Sequence, residues 1–175
     1  EIVRLAQLSD LNQLYSLIDS EARVMTTMPK SKKDLKDRIE WSVKSSLAKA
    51  YSKAQGSYLM VLESKKKIVG ISAIYTKVAC KKPSVFFKIK PKEIHSKTLN
   101  FSKSLQTLQL HHCKTPYTEL GTLFLSPQAR SKGVGKLLSL SRLCFMGLDC
   151  KRFDSKTFVE IRGWKNNQGR SEEHT

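Results

Sequence analysis

The chain has 175 residues, 39% of them hydrophobic, and a formal net charge of +17. That length supports one domain with its own core, and no apolar run approaches the roughly 20 residues that a membrane helix needs. The charge admits a polyanionic partner, but the lysines lie scattered beside turns at 30–36, 65–67, 81–82 and 88–92. They lack the aromatic interleaving of single-strand binders, so nucleic acid is disfavoured.

Glu1 to Ala6 reads as a short strand. Ser9 or Asp10 can cap a following helix whose Leu11, Leu14, Leu17 and Ile18 share one face. Arg23 to Pro29 is a loop. A second helix is expected from about Ser31 to Lys53, with Leu35, Ile39, Val43 and Leu47 as its core stripe and Gln55-Gly56 as its stop. Ser57 to Glu63 and Ile68 to Val78 make an antiparallel hairpin across the turn Ser64 to Lys67. Lys81-Lys82-Pro83 breaks the chain, and Ser84 to Lys90 and Leu105 to Leu110 are extended. Thr118 to Leu125 is the central strand, rich in Leu, Phe and Thr and closed by a turn at Ser126-Pro127. An apolar helix follows to about Leu148, then a last strand from Thr157 to Ile161. The order β-α-α-β-β-β-α-β predicts an α/β (α+β) domain with a mixed, mostly antiparallel sheet flanked by helices. No internal repeat interrupts it.

Four cysteines (Cys80, Cys113, Cys144, Cys150) stand far apart with no CxxC. That spacing argues against zinc and for a reducing compartment, and Cys144 on the apolar helix reads as a small hydrophobe. The N-terminus lacks the charged-then-apolar pattern of a secretion signal. The expected location is cytoplasmic, with no membrane association. His111-His112 is a poor joint metal site, because neighbours on a strand point to opposite faces; no metal is expected.

The chemistry concentrates in Arg130-Ser131-Lys132-Gly133-Val134-Gly135-Lys136, between the central strand and the apolar helix. Two glycines let the backbone turn sharply and leave no Cβ in the way of a ligand. The first turn of the helix offers unpaired N–H groups and partial positive charge, so a pyrophosphate fits there. Neither GxxxxGK[ST] nor GxGxxG is present. A plain loop capping a core helix is the competing reading.

Arg-x-x-Gly-x-Gly after a strand resembles the coenzyme A loop of the Gcn5-related N-acetyltransferase (GNAT) superfamily, which implies a GNAT-like acyl-CoA N-acyltransferase fold. The resemblance narrows through Glu119-Leu120-x-Thr122-Leu123-Phe124-Leu125-x-Pro127, Arg130-x-x-Gly133-x-Gly135-x-Leu137-Leu138-Ser139-x-Ser141-Arg142 and Glu160-x-Arg162-Gly163. Ile2-Val3-Arg4, Ser9-Asp10, Thr27-Met28-Pro29 and His95-Ser96-Lys97-x-Leu99-Asn100 extend it. Together these are similar to the N-terminal half of the arginine N-succinyltransferase family, which transfers succinyl from succinyl-CoA to the α-amino group of L-arginine in arginine catabolism.

The resemblance implies succinyl-CoA as co-substrate and L-arginine as acceptor. It also implies a C-terminal half carrying the family's acid histidine, beyond the end of this chain, so the piece alone is expected to be inactive and its catalytic residue is unassigned. Residues 1–169 are expected to be the GNAT-like domain. Gln168 to Ser171 still follows the family and Glu172 to Thr175 does not; Arg170 to Thr175 matches a translated sequencing adapter, so 170–175 reads as a foreign tail, and His174 takes no role. Leu123 matches the family's succinyl-CoA position, though it also reads as core. Arg130, Gly133, Gly135 and Lys136 are assigned to the coenzyme. Glu119 and Glu160 are candidates for the guanidinium or for proton relay, or else are ion-paired strand residues. Arg162 is a candidate for a carboxylate, or a salt-bridge partner of Glu160. The family shows Asn-Asp at His112-Cys113 and Gly at Pro116, which leaves the acceptor open. A GNAT enzyme with another donor or acceptor is the alternative, and a non-catalytic basic nucleic-acid-binding module the second. An oligomer is possible.

Overall fold

The computed structural model describes residues 1–21, 27–48, 54–131 and 133–161. β1 (Ile2–Leu5) leads through a 3-10 turn, Leu8–Asp10, into α1 (Leu11–Glu21). Then come α2 (Lys32–Leu47), β2 (Ser57–Ser64), β3 (Lys67–Val78), β4 (Ser84–Ser96) and β5 (Phe101–Cys113). β6 (Tyr117–Leu125) is followed by a 3-10 turn at Pro127–Ala129, α3 (Val134–Leu148) and β7 (Thr157–Phe158). Five strands form one sheet in the order β1-β2-β3-β6-β7, antiparallel throughout except for the parallel pair β6 and β7. This is the mixed, mostly antiparallel sheet flanked by helices that the sequence predicts.

Strand alternation sorts the core into two layers. Leu59, Val61, Ile71 and Ala73 face α1 and α2, where Leu14, Leu17, Ile18, Leu35 and Ile39 complete one cluster. Tyr58, Met60, Leu62, Ile74 and Leu120 face α3 and meet Val134, Leu138, Phe145 and Met146. The run Tyr58 to Leu62 is buried along its whole length because both faces of β2 are covered.

The helices depart from expectation in instructive ways. Asp10 lies in the turn before α1, where its carboxylate accepts the Gln7 N–H at 2.8 Å and both terminal nitrogens of Arg4 at 2.7 and 2.9 Å. α2 is capped by Ser31, whose hydroxyl accepts the Asp34 N–H at 3.0 Å. It stops at Leu47, short of the expected Lys53, because Ala48 turns extended. Leu47 is 81% exposed and belongs to no core stripe. A repeat of four overshoots the helical turn by about 40° each time, so the fourth member has rotated off the face. Ser42 and Ser45 hold that face instead, accepting the Leu59 and Ser57 N–H groups at 2.8 and 3.1 Å.

β4 and β5 are longer than the expected 84–90 and 105–110 and do not join the main sheet; they pair only with each other, as a ribbon. One ribbon face carries Val85, Phe87, Ile89, Leu108 and Leu110, all exposed. The other carries Lys88, Lys90, Lys92 and Lys103. α3 likewise leaves Leu137, Leu140 and Leu143 exposed on its outer side, with Cys144 in solvent rather than in the core. No helix among the described residues is long and apolar enough to cross a membrane.

β7 is shorter than the expected Thr157–Ile161. Only Thr157 and Phe158 pair, opposite Thr118 and Glu119, and residues 159–161 run on unpaired. Asp154 sets this geometry. Its carboxylate accepts the Lys77 N–H at 2.8 Å, pairs with Lys77 Nζ at 2.7 Å and accepts the Thr118 hydroxyl at 3.3 Å. The chain is thereby held beside the start of β6, and the sheet opens beyond Glu119.

Candidate active site

Three features meet where the sheet opens. The first is the glycine loop. Gly133 is the N-cap of α3 with φ of 91°, a conformation that any side chain would strain. Gly135 stands in the first turn, and the nearest atom that a Cβ built there meets outside its own helical turn, among the described residues, is Leu125 Cδ2 at 3.9 Å. The fold itself leaves that space empty. It belongs to a cleft of about 370 Å³ lined by Leu123, Phe124, Leu125, Arg130, Ser131, Gly135 and Leu138.

The cradle is narrower than the whole stretch from Arg130 to Lys136. The Arg130 N–H donates to the Pro127 carbonyl at 3.2 Å, Ser131 to Ala129 at 2.9 Å and Val134 to Ser131 at 3.2 Å. The Gly133 and Gly135 N–H groups have no acceptor among the described residues. The Arg130 side chain folds back, with Nε donating to the Leu125 carbonyl at 3.2 Å. Lys136 is exposed on the first helical turn. Leu123, 48% exposed, faces the cleft and is not core.

The second feature is a bulge in β6. Its register with β3 slips as Ser72↔Leu123 gives way to Ala73↔Gly121, and the extra residue, Thr122, has φ of 43°. Bulges re-aim backbone groups beside functional sites, and a strained β-branched residue needs support from its surroundings. Here the Thr122 hydroxyl lies 3.2 Å from Tyr75 Oη and donates to Thr27 Oγ1 at 3.3 Å. Arg38 Nη1 donates to Tyr75 Oη at 2.5 Å, its guanidinium carbon 5.3 Å from the ring centroid. A Cβ on Gly121 would meet Tyr75 Cε2 at 2.7 Å and Glu119 Oε1 at 3.4 Å, so ring and carboxylate crowd over that glycine.

The third feature is a carboxylate pair. Glu119 is half-buried on the α1/α2 side, and burial raises its pKa, with the charge of Glu160 adding to the shift. Glu160 is exposed, two residues past β7. Such a Glu119 binds a proton more readily than a free carboxylate and favours a cation beside it. Arg162 and His174 lie outside the described residues. His111 and His112 sit opposite Phe86 and Val85 in the ribbon, on its two faces, and no group of three or more metal-ligating side chains occurs among the described residues.

The glycine loop and the glutamates were marked in the sequence, and Thr27 was marked only by resemblance. Tyr75, Arg38 and the bulge at Thr122 were not. A tyrosine in an alternating strand and an arginine on a charged helix face carry no local signal, and a bulge becomes visible only through pairing.

Residues 1–174 match a family described as arginine N-succinyltransferase beta subunit. The chain is 36% identical over 171 residues to the arginine N-succinyltransferase of Yersinia enterocolitica, covering 97% of this chain and 49% of that protein. It is 34% identical to the arginine N-succinyltransferase subunit beta of Pseudomonas aeruginosa, covering 97% and 50%. Its fold matches the solved arginine/ornithine succinyltransferase subunit AI from Pseudomonas aeruginosa with a TM-score of 0.84 at 29% identity, over 97% of this chain and 52% of that one. The chain therefore spans about half the length of the curated relatives it matches. It belongs to the arginine N-succinyltransferase beta subunit family.

Proposed function

We propose that this chain is the coenzyme-binding half of an arginine N-succinyltransferase, which moves succinyl from succinyl-CoA to the α-amino group of L-arginine. The observation that carries this is the open space over Gly135, beside two amides at the mouth of α3 with no acceptor among the described residues and the open edge of a bulged strand. A diphosphate suits that helix mouth, with Lys136 and Arg130 adding charge. The pantetheine arm has the unpaired edge of β6 at Leu123 to follow.

In the reaction, the deprotonated α-amine attacks the thioester carbonyl, and the resulting oxyanion collapses with loss of the coenzyme thiolate. A backbone amide at the Thr122 bulge would suit the oxyanion. Glu119, with its raised proton affinity, suits either the ammonium proton or the guanidinium cation, with Glu160 beside it and Arg162 near in sequence. We assign the acid that protonates the thiolate to a second half of the protein, as the resemblance implies. The uncovered apolar faces of the ribbon and of α3 support such a half packing there. A donor-by-acceptor screen on the two-half protein tests the assignment: succinyl-CoA with arginine should give the fastest transfer, and preference for another pair overturns it. This chain alone should bind coenzyme A with little turnover.

A further inference from the structure

Arg142 is the buried charge that the preceding reading leaves unused. It is 5% exposed, on the face of α3 that packs against the sheet. Buried charges are normally paired with an opposite charge, yet no carboxylate reaches this one among the described residues. Its Nε donates to the Ser139 carbonyl at 3.2 Å, Nη2 to Ser139 Oγ at 3.0 Å and Nη1 to the Gly121 carbonyl at 3.4 Å. A guanidinium has five N–H groups in a planar fork, so one on each terminal nitrogen finds no acceptor among the described residues. Burial lowers the Arg142 pKa with no acidic partner acting against it, while an arginine stays charged in proteins.

Its place in the fold suggests what completes it. Gly135, Leu138 and Arg142 follow one another at spacings of three and four, so they form a single stripe along α3. The first two line the coenzyme cleft. The stripe runs from the glycine mouth, where the diphosphate belongs, down to the Gly121 carbonyl beside the bulge, where a thioester would lie. Arg142 therefore lies one helical turn beyond the lining residue Leu138, at the Gly121 carbonyl, on the side toward which the acyl end would point. It is also on the opposite side of β6 from Glu119 and Tyr75, which face α1 and α2. An acyl tail directed toward α3 would leave the other side free for the amine.

Resting on the coenzyme reading above, we propose that Arg142 receives the free carboxylate of the acyl group and selects a dicarboxylic acyl-CoA over a monocarboxylic one. Planar bidentate pairing with a carboxylate is what a guanidinium does better than an ammonium. Butyryl-CoA is the probe, since it keeps the four-carbon acyl chain and lacks the charge.

Titration calorimetry with coenzyme A, butyryl-CoA and succinyl-CoA tests this. The unaltered chain should bind succinyl-CoA on the order of tenfold more tightly than butyryl-CoA, the effect of one charge-assisted pair. Arg142→Met should bring the two to parity while affinity for coenzyme A is kept. Arg142→Lys, which keeps the buried cation if the methionine variant does not fold, should lose most of the preference. In the unaltered protein, succinyl-CoA but not butyryl-CoA should shift an arginine Nε–H resonance that is missing in Arg142→Lys. Undiminished preference in the variants, or none in the parent alongside firm coenzyme A binding, overturns the role of Arg142 alone. No binding of coenzyme A overturns the coenzyme reading and this inference with it.

Discussion

Thr122 Oγ1 and Tyr75 Oη, 3.2 Å apart, join β6 to β3 where the register between the two strands slips. The pair supports a threonine held at φ of 43°, and Arg38 holds the phenol from α2. Tyr75→Phe should therefore cost about 1 kcal/mol in urea unfolding, the net worth of a hydrogen bond. Gly121→Ala should cost more, about 1–3 kcal/mol, because a Cβ would sit 2.7 Å from Tyr75 Cε2. Equal stability of Gly121→Ala and the parent would show that the ring moves freely and that the bulge is not braced.

Leu35, Ile39 and Val43 keep the expected stripe, but the C-terminal end of the seam between α2 and β2 is polar where Leu47 was expected. Ser42→Ala should destabilise the chain by about 1–2 kcal/mol, since it leaves the buried Leu59 N–H without its acceptor. Leu47→Ala should stay within about 0.5 kcal/mol, as exposed substitutions do. Thermal melts of the two variants side by side check the ranking.

That inversion shows where the sequence was legible. Runs such as Tyr58 to Leu62 and the turn at Lys65 announce themselves because their signals are local. The glycine loop was readable for the same reason: Gly133 and Gly135 are required by backbone shape and open space, which neighbouring residues reveal. Ser42, Tyr75 and Asp154 owe their roles to partners 17, 47 and 77 residues away. No periodicity encodes such distances. In sequence the ribbon looks like two short strands because Lys88, Lys90 and Lys92 resemble loop lysines, whereas they alternate with residues facing the other side.

Acid stability should follow Asp10. Its hydrogen bonds with Arg4 hold its pKa below the ordinary carboxylate value, against the cost of burial, with the Gln7 N–H helping. A carboxyl depressed by folding stabilises the protein above the unfolded pKa of about 3.9, and that contribution is lost as pH falls through the folded value. Asp10→Asn should lower stability at neutral pH by about 2 kcal/mol, part of a buried pair with one partner at the surface. It should also flatten the decline below pH 4 or so. Glu119 has the opposite sign: its raised pKa means stability present at low pH and lost as pH rises through the folded value. Glu119→Gln should stabilise the chain at neutral pH and, on the proposed function, reduce succinyl transfer by the full-length protein.

The ribbon predicts association. Phe87 and Leu108 are 64% and 69% exposed on its apolar face, and a contiguous apolar surface of this kind marks an interface. Without a covering partner, the chain should self-associate with concentration in sedimentation velocity. Phe87→Lys combined with Leu108→Lys should return it to a monomer while changing the melting free energy by less than about 0.5 kcal/mol, because neither side chain supports the core.

The two loop glycines should separate stability from binding. Gly133→Ala places a side chain at φ of 91° and should cost about 1 kcal/mol or more whether or not coenzyme is present. Gly135→Ala meets nothing closer than 3.9 Å and lies in a helix. It should be neutral or stabilising by up to about 1 kcal/mol. The methyl group would nonetheless stand in the space that a diphosphate needs beside the Gly135 amide, so coenzyme A affinity should fall at least tenfold. A Gly135→Ala chain that is stable and still binds coenzyme A normally would mean that the diphosphate lies elsewhere.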